Sequence, residues 1–395
     1  MRFLAIDHGD KRTGLALCDA SERVVSPLMV LEGAENSPAG IRRALESYQL
    51  DAVVIGLPYN MDGTEGPRAA KVRRFAEELK KSLPLPILFF DERLSSFEAQ
   101  EKLAAMELTR KKRKKRLDAV AAAAILEGFL EARKQALAEF PGRFVRTSDE
   151  ETLAREVLSE FLSCAQRALR EKGRFAVALC GGRTPRRFFE HLGQSSDAQK
   201  IDWKNVYWFW TDERAVSPSD AASNYHLATE TFLKKLPIPP ERVYRMEGEA
   251  ADLQETAIRY EEKLQKVFDL QPGQVPSLDL VLLGVGTDGH IASLFPGSPV
   301  LSESRRMVQA VEGPDGRKRL TLTVPVIQTA GSILVVLSGA EKAPILCTLL
   351  THPPAPAVYP AHCLWPVLSK TVWVADAAAA SLLGKWSSAD DFSSL

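Results

Sequence analysis

The chain has no excess of either charge. Over 395 residues, 51 Lys and Arg face 51 Asp and Glu, a formal net charge of zero. A uniformly basic nucleic-acid binder is thereby excluded, although a sum over several domains can hide a local field. Cysteine is scarce: Cys18, Cys164, Cys180, Cys347 and Cys363 form no C-x-x-C pair, which points away from a disulfide framework or a zinc knuckle. Long apolar runs are missing as well. AVAAAAIL (119–126) is closed by Glu127, well short of the ~18 residues needed to span a bilayer. The opening MRFLAIDHGDKRTG reaches Asp7 before an apolar signal-peptide core could form, so a cytoplasmic protein without a membrane partner is expected. No internal repeat is visible. What is present is average globular usage, 45% hydrophobic and 26% charged, which argues against disorder. The length exceeds the ~250–300 residues at which one core stops growing, so two domains are expected.

The first 140 residues read as an α/β layered domain. FLAI (3–6) and GLALC (14–18) flank a polar turn and predict a hairpin; AVVIGLP (52–58) and PILFFDE (86–92) are buried-strand runs. Val72, Phe75, Ala76, Leu79 and Leu83 fall at helical spacing, and a last helix is predicted from about Leu117 to Ala138. Phe140-Pro141-Gly142 then breaks the chain, and Ser148 with Glu151 reads as a capping box opening a helix with Leu153, Val157, Phe161, Ala165 and Leu169 on one face. Beyond it FAVALCGG, VYWFWTDE, LDLVLLGVG, SILVVLSG and TVWVAD alternate with helical stretches, predicting a doubly wound parallel sheet. The expected domains are 1–139 and 142–395.

Candidate chemistry in the second domain lies at the ends of these strands, where open α/β sheets bind ligands. In Leu179-Cys180-Gly181-Gly182-Arg183-Thr184-Pro185 two glycines let the backbone approach a ligand, and Thr184-Pro185 suits a helix start whose amides attract phosphate; a plain strand–helix turn is the alternative. In Gly286-Thr287-Asp288-Gly289-His290, an imidazole whose ordinary pKa lies near neutrality is placed as a general base, with Asp288 able to orient it. Arg214, Arg319 and Lys342 are candidate phosphate contacts, or members of surface salt bridges.

These segments, with WTDERAV, Ser223-Asn224, GVGTDGHIASLFPG, RLTLT (319–323), LSGAEK (337–342) and WVADAAAA, resemble the 6-phosphogluconolactonases, within the group that includes glucosamine-6-phosphate deaminases. The resemblance covers about residues 142–385. It implies that His290 deprotonates the water attacking the lactone carbonyl of 6-phosphogluconolactone. Gly181, Gly182, Thr184, Arg214, Arg319 and Lys342 would contact phosphate and substrate, with no cofactor. Deaminases of the group carry a glutamate in F-N-E-P after the histidine segment, where this chain has Ser293-Leu294-Phe295-Pro296; the resemblance therefore implies lactone hydrolysis.

In the first domain Asp7 ends a strand, Asp91-Glu92-Arg93 ends another, and Asp118 follows a run of seven cations, Arg110-Lys111-Lys112-Arg113-Lys114-Lys115-Arg116. Three carboxylates at element ends can converge on Mg²⁺, which activates water in phosphodiester hydrolysis; spacing alone leaves convergence open. IDHGDKRTG, VVIGLPYNMDGTEG (53–66), FDERLSS (90–96) and KKRLDAVAAAAIL (114–126) resemble the YqgF/RuvX family of RNase H-like nucleases. These are similar to Holliday-junction resolvases and are associated with maturation of the 16S ribosomal RNA 5′ end. The resemblance covers residues 1–138. It implies an RNase H-like fold, an acidic triad of Asp7, Glu92 and Asp118 (Asp91 competing for the middle place) holding Mg²⁺ or Mn²⁺, and pre-16S rRNA as partner. A non-catalytic module binding RNA or the ribosome, and a nuclease for branched DNA, stay open. The cationic run reads either as no more than a solvated, mobile loop or as a mobile contact for the phosphate backbone beside Asp118. Divided at residue 139, the charges come to +2 for the first part and −2 for the second; without the run the first part would stand at −5.

Overall fold

A computed structural model describes residues 1–61, 64–91 and 110–384, the side chains of 110–116 excepted. The chain forms two compact units, one built from Met1–Glu139 with Leu350–His352 and Leu382–Gly384, the other from Phe140–Leu349 and Pro353–Ser381.

In the first unit β1 (Phe3–His8), β2 (Arg12–Cys18), β3 (Val25–Glu32), β4 (Ala52–Leu57) and β5 (Ile87–Asp91) make one sheet in the order β3-β2-β1-β4-β5. The predicted hairpin is β1–β2, antiparallel with Asp7 opposite Gly14; β4 and β5 run parallel to β1. One face carries Leu4, Ile6, Leu15, Val53 and Ile55 against α1 (Pro38–Leu45) and α2 (Pro67–Ser82), whose Val72, Phe75, Ala76 and Leu79 are buried. The other face carries α3 (Arg110–Ala138). Ala119, Ala122, Ala123 and Ala124 let that helix lie close, and Phe129 anchors it edge-on to Phe3 and Phe90. β3 and α1 escape the sequence reading because their burial is partial.

Two expectations need correction here. The cationic run is not a loop: Arg110–Arg116 forms the first two turns of α3, so Asp118 lies in the third turn rather than at the helix start. A run of seven cations resembles a linker by composition, but Lys and Arg are good helix formers and the alanine-rich stretch behind them carries the nucleus.

In the second unit six strands make a wholly parallel sheet: β6 (Arg143–Thr147), β7 (Phe175–Leu179), β8 (Val206–Trp210), β10 (Leu280–Gly284), β13 (Ser332–Leu337) and β14 (Thr371–Asp376), in the order β6-β14-β13-β10-β7-β8. A three-stranded antiparallel sheet joins β9 (Asp212–Arg214), β11 (Val308–Glu312) and β12 (Lys318–Leu322) in the order β11-β12-β9. VYWFWTDE is thus not one strand. It turns at Thr211, whose N–H donates to Leu179 O and whose carbonyl accepts from Leu322 N, and passes from one sheet to the other. The helix after β6, α4 (Glu150–Lys172), is capped one residue later than expected: Asp149, not Ser148, accepts from Thr152 N. Its buried Leu153, Val157, Phe161 and Ala165 pack into a core with Phe175, Phe188 and Trp208.

Candidate functional site

Winding direction reverses between β7 and β10, and there the sheet opens. Their register holds only Leu280↔Val177 and Val281↔Ala178, whereas β10 pairs with β13 over five residues. Both strands run on past their last pair, leaving a crevice at their carboxyl ends, the usual ligand position in such sheets. The glycine turn after β7 and the histidine loop after β10 border it.

At the first, Gly182 has φ +105° at the N-cap of α5 (Arg183–Leu192), a conformation that needs glycine. Gly181 has a different constraint: a Cβ there would lie 1.6 Å from Asn224 Oδ1. Asn224 is itself buried, with Nδ2 donating to Asp212 O (2.8 Å), while its Oδ1 has no partner. Gly181→Ala is expected to force this contact apart. It should destabilise the unit by about 1–3 kcal/mol and lower kcat/KM at least tenfold; unchanged melting and turnover would show that the turn is free to adjust.

At the second, the loop folds round the imidazole. Gly286 N donates to His290 O (2.8 Å), Gly289 N to Gly286 O (3.0 Å), and a Cβ on Gly286 would sit 2.1 Å from His290 Nδ1. His290 Nδ1 lies 2.6 Å from Asp288 Oδ1. Burial pushes the Asp288 acid up, but the hydrogen bond and charge of His290 outweigh it and hold it below the usual carboxylate range. An ionised Asp288 accepts the Nδ1 hydrogen and leaves Nε2 as the basic nitrogen. Lys342 Nζ donates to Val285 O (2.7 Å) in the same loop, and burial draws its amine below the usual lysine range. Thr184 lies at the second position of α5, and the neighbouring Arg183 is ion-paired with Glu341, beside Lys342.

Arg214 and Arg319 face each other as register partners on β9 and β12. Arg319 is held by Asp315 (Nη2–Oδ2 2.8 Å) with its guanidinium 5.1 Å over the Phe295 ring, and Phe295 packs at 4.8 Å against His290. Arg214 Nη1 donates to Ala222 O (2.6 Å). Both arginines keep a buried Nε–H without a partner among the described residues, a donor left unsatisfied where most buried donors are paired. His290, Asp288, Lys342 and Arg319 are thus linked through Val285 and Phe295, Arg214 stands opposite Arg319 in register, and Gly181, Gly182 and Thr184 lie at the turn after β7. Phe295, Asp315 and Asn224 were not read as site residues: an aromatic, a turn acid and a buried amide carry no signal until the antiparallel sheet brings them together.

In the first unit Asp7 and Asp118 meet across Gly14. A Cβ on Gly14 would fall 1.9 Å from Asp118 O, so only glycine lets α3 cross β2 there. Burial, and next the charge of Asp118, raise the Asp7 acid to about 6. Arg12 Nε pairs with Asp118 Oδ2 at 2.9 Å, a partner that sequence reasoning left without a role. Asp91 lies on the other face. Side chains alternate along a strand; Phe90 packs on Phe129 of α3, Phe89 lies under Arg73 of α2, and Asp91 therefore shares the α2 side. Glu92 lies outside the described residues. Among the described residues no group of three or more His, Cys, Asp and Glu is arranged to hold a metal ion. Nor is any described helix long and apolar enough to cross a membrane.

Comparison with known proteins divides the chain the same way. Residues 148–373 match a family model described as glucosamine-6-phosphate isomerases/6-phosphogluconolactonase, and residues 1–132 one described as Holliday junction resolvase. A 6-phosphogluconolactonase of Nostoc sp. (strain PCC 7120) is 36% identical over 235 residues, 60% of this chain and 95% of that protein. That of Haemophilus influenzae is 36% identical over 207 residues, 52% of this chain and 87% of that protein. A crystal structure of devB protein aligns at 31% identity and TM-score 0.54, covering 60% of this chain and 98% of that one.

Proposed function

Since the chain belongs to the glucosamine-6-phosphate isomerase/6-phosphogluconolactonase family, with a nuclease-family segment ahead of it, we propose that it is a bifunctional hydrolase. The C-terminal unit opens 6-phospho-D-glucono-1,5-lactone to 6-phosphogluconate. The His290–Asp288 pair beside two arginines with unpartnered Nε–H groups carries this reading. His290 Nε2 takes a proton from the attacking water, and Asp288 holds the ring and balances the imidazolium. Arg214, Arg319 and Lys342 bind the phosphate and lactone oxygens, with Gly181, Gly182 and Thr184 at the turn below. No cofactor enters this reaction. The test is hydrolysis of the lactone against its spontaneous opening, with glucosamine 6-phosphate as control; turnover of the amine alone would reverse the assignment.

The N-terminal unit cleaves phosphodiesters, with pre-16S rRNA as the proposed substrate. Asp7 and Asp118 supply half-buried oxygen donors whose mutual repulsion suits a divalent cation. Glu92 is the proposed third acid, since Asp91 lies on the opposite face of the sheet. Mg²⁺ or Mn²⁺ held there would polarise the scissile phosphate and ease ionisation of water. Arg12, paired with Asp118, screens that carboxylate. The Arg110–Arg116 run supports a nucleic-acid partner on energetic grounds. Cations in the first turns of a helix oppose its dipole, each costing about 0.3–1 kcal/mol at low salt, and a polyanion relieves that repulsion. Changing Lys111, Lys112, Lys114 and Lys115 to Gln is expected to flatten the salt dependence of RNA binding, each lost contact removing roughly 0.7–0.9 from the slope of log K against log salt. An unchanged slope would disprove the contact. Cleavage assays on structured pre-16S rRNA and on four-way DNA junctions decide between the substrates, and binding without cleavage of either would make the unit a non-catalytic module.

A further inference from the structure

Residues 243–244 add a short rung outside β8. Val243 bridges Trp208 in parallel, Tyr244 N donates to Trp208 O (2.8 Å), and Tyr260 Oη donates to Tyr244 O (2.8 Å) from the helix Leu253–Phe268. Between this rung and that helix lies a cavity of about 610 Å³, within the range of small-molecule sites. None of the residues of the His290 crevice lines it.

Its composition is at odds with its surroundings. The chain from 140 onward carries a formal charge of −2, yet the cavity gathers Arg242, Arg245, Lys263 and Lys266 against one carboxylate, Glu247. Glu247 is engaged by Lys263 (2.7 Å), and Arg245 by Glu249 (2.6 Å). Arg242 and Lys266 have no carboxylate partner among the described residues. Arg242 is nevertheless fixed: Nε donates to Lys204 O (2.9 Å), Nη1 to Tyr207 Oη (2.8 Å), and Cζ lies 4.4 Å from the centre of the Tyr207 ring. Tyr207 is parallel to Tyr244 within 6°, at 6.3 Å, and Tyr244 to Phe209 within 13°, at 4.9 Å. Three near-parallel rings therefore stand in a row, with the Arg242 cation against the outermost, Tyr207.

We propose that this cavity is a second, non-catalytic site for a nucleoside phosphate. An arginine set against a row of aromatic rings offers a base both a cation and π-faces, and Lys266 on the same rim supplies a point charge for phosphate. A sugar phosphate or inorganic phosphate would use the cations and leave the rings idle.

Titration calorimetry of the full chain with ATP tests the site, with AMP, ribose 5-phosphate and inorganic phosphate as further arms. Saturable ATP binding is expected, weakened about tenfold or more by Arg242→Ala and by Lys266→Glu, and unaffected by Arg319→Ala. AMP should bind more tightly than ribose 5-phosphate or inorganic phosphate. Absence of saturation at millimolar ATP overturns the proposal, as does binding indifferent to both cavity substitutions. Equal affinity for AMP and ribose 5-phosphate would show that no base is recognised, and overturns it too.

Discussion

His290→Ala is expected to lower kcat for 6-phosphogluconolactone hydrolysis by about 10²–10⁴-fold, the usual worth of a positioned general base, with KM nearly unchanged. The split follows from the geometry. The proposed anion-binding groups have anchors of their own, Arg319 on Asp315, Arg214 on Ala222 O and Lys342 on Val285 O, whereas the His290 ring is held by Asp288 at 2.6 Å. Removing the ring deletes the proton acceptor and leaves the arginines in place. The contrasting variant is Arg319→Ala, which takes away a guanidinium with an unpartnered Nε–H and should act mainly on KM. Initial rates followed by acid release, corrected for spontaneous opening, distinguish the two. If His290→Ala kept more than about a tenth of wild-type kcat, the imidazole would not be the base.

The second large effect combines opposite signs in one substitution. Asp7→Asn should abolish metal-dependent cleavage and, at neutral pH, make the N-terminal unit more stable. The native Asp7 acid is raised from 3.8 to about 6 by burial and by Asp118. Between those values the folded state holds more protons than the unfolded one, so stability falls as pH rises through that window and stays lower above it. A rise of this size corresponds to at most about 3 kcal/mol, which the uncharged amide would recover. All six tryptophans, at 203, 208, 210, 365, 373 and 386, belong to the C-terminal half. Tryptophan fluorescence therefore follows that unit, and a calorimetric transition that it does not track belongs to the other. An Asp7→Asn protein whose N-terminal transition at pH 7 moved down would contradict the burial argument, and retained Mg²⁺-dependent cleavage would remove Asp7 from the site.

Periodicity carried most of the architecture. Apolar runs of four or more residues marked β4, β7, β10, β13 and β14 because a strand buried on both faces leaves little room for polar side chains in its middle. Motif order, in turn, singled out Asp288 and His290, which are neighbours both in the chain and in space, and Asp7 and Asp118, which the crossing of α3 over β2 brings together. Local patterns could not supply what depends on distant partners. β9 reads as the tail of β8 until β12 pairs with it, and only then do Arg214 and Arg319 stand opposite each other. Gly181 and Gly14 look like ordinary turn and strand glycines until Asn224 and the Asp118 carbonyl occupy the space where a Cβ would be. Asp91 stays an acceptable ligand by spacing, and the parity of β5, fixed by Phe90 against Phe129, is what sets it aside. Chain-local hydrophobicity and turn chemistry thus determined which elements form and which ionisable groups end them. The packing of helix on sheet and of one sheet beside another decided which of those groups share a site, since burial and repulsion act between atoms that meet only in the folded chain.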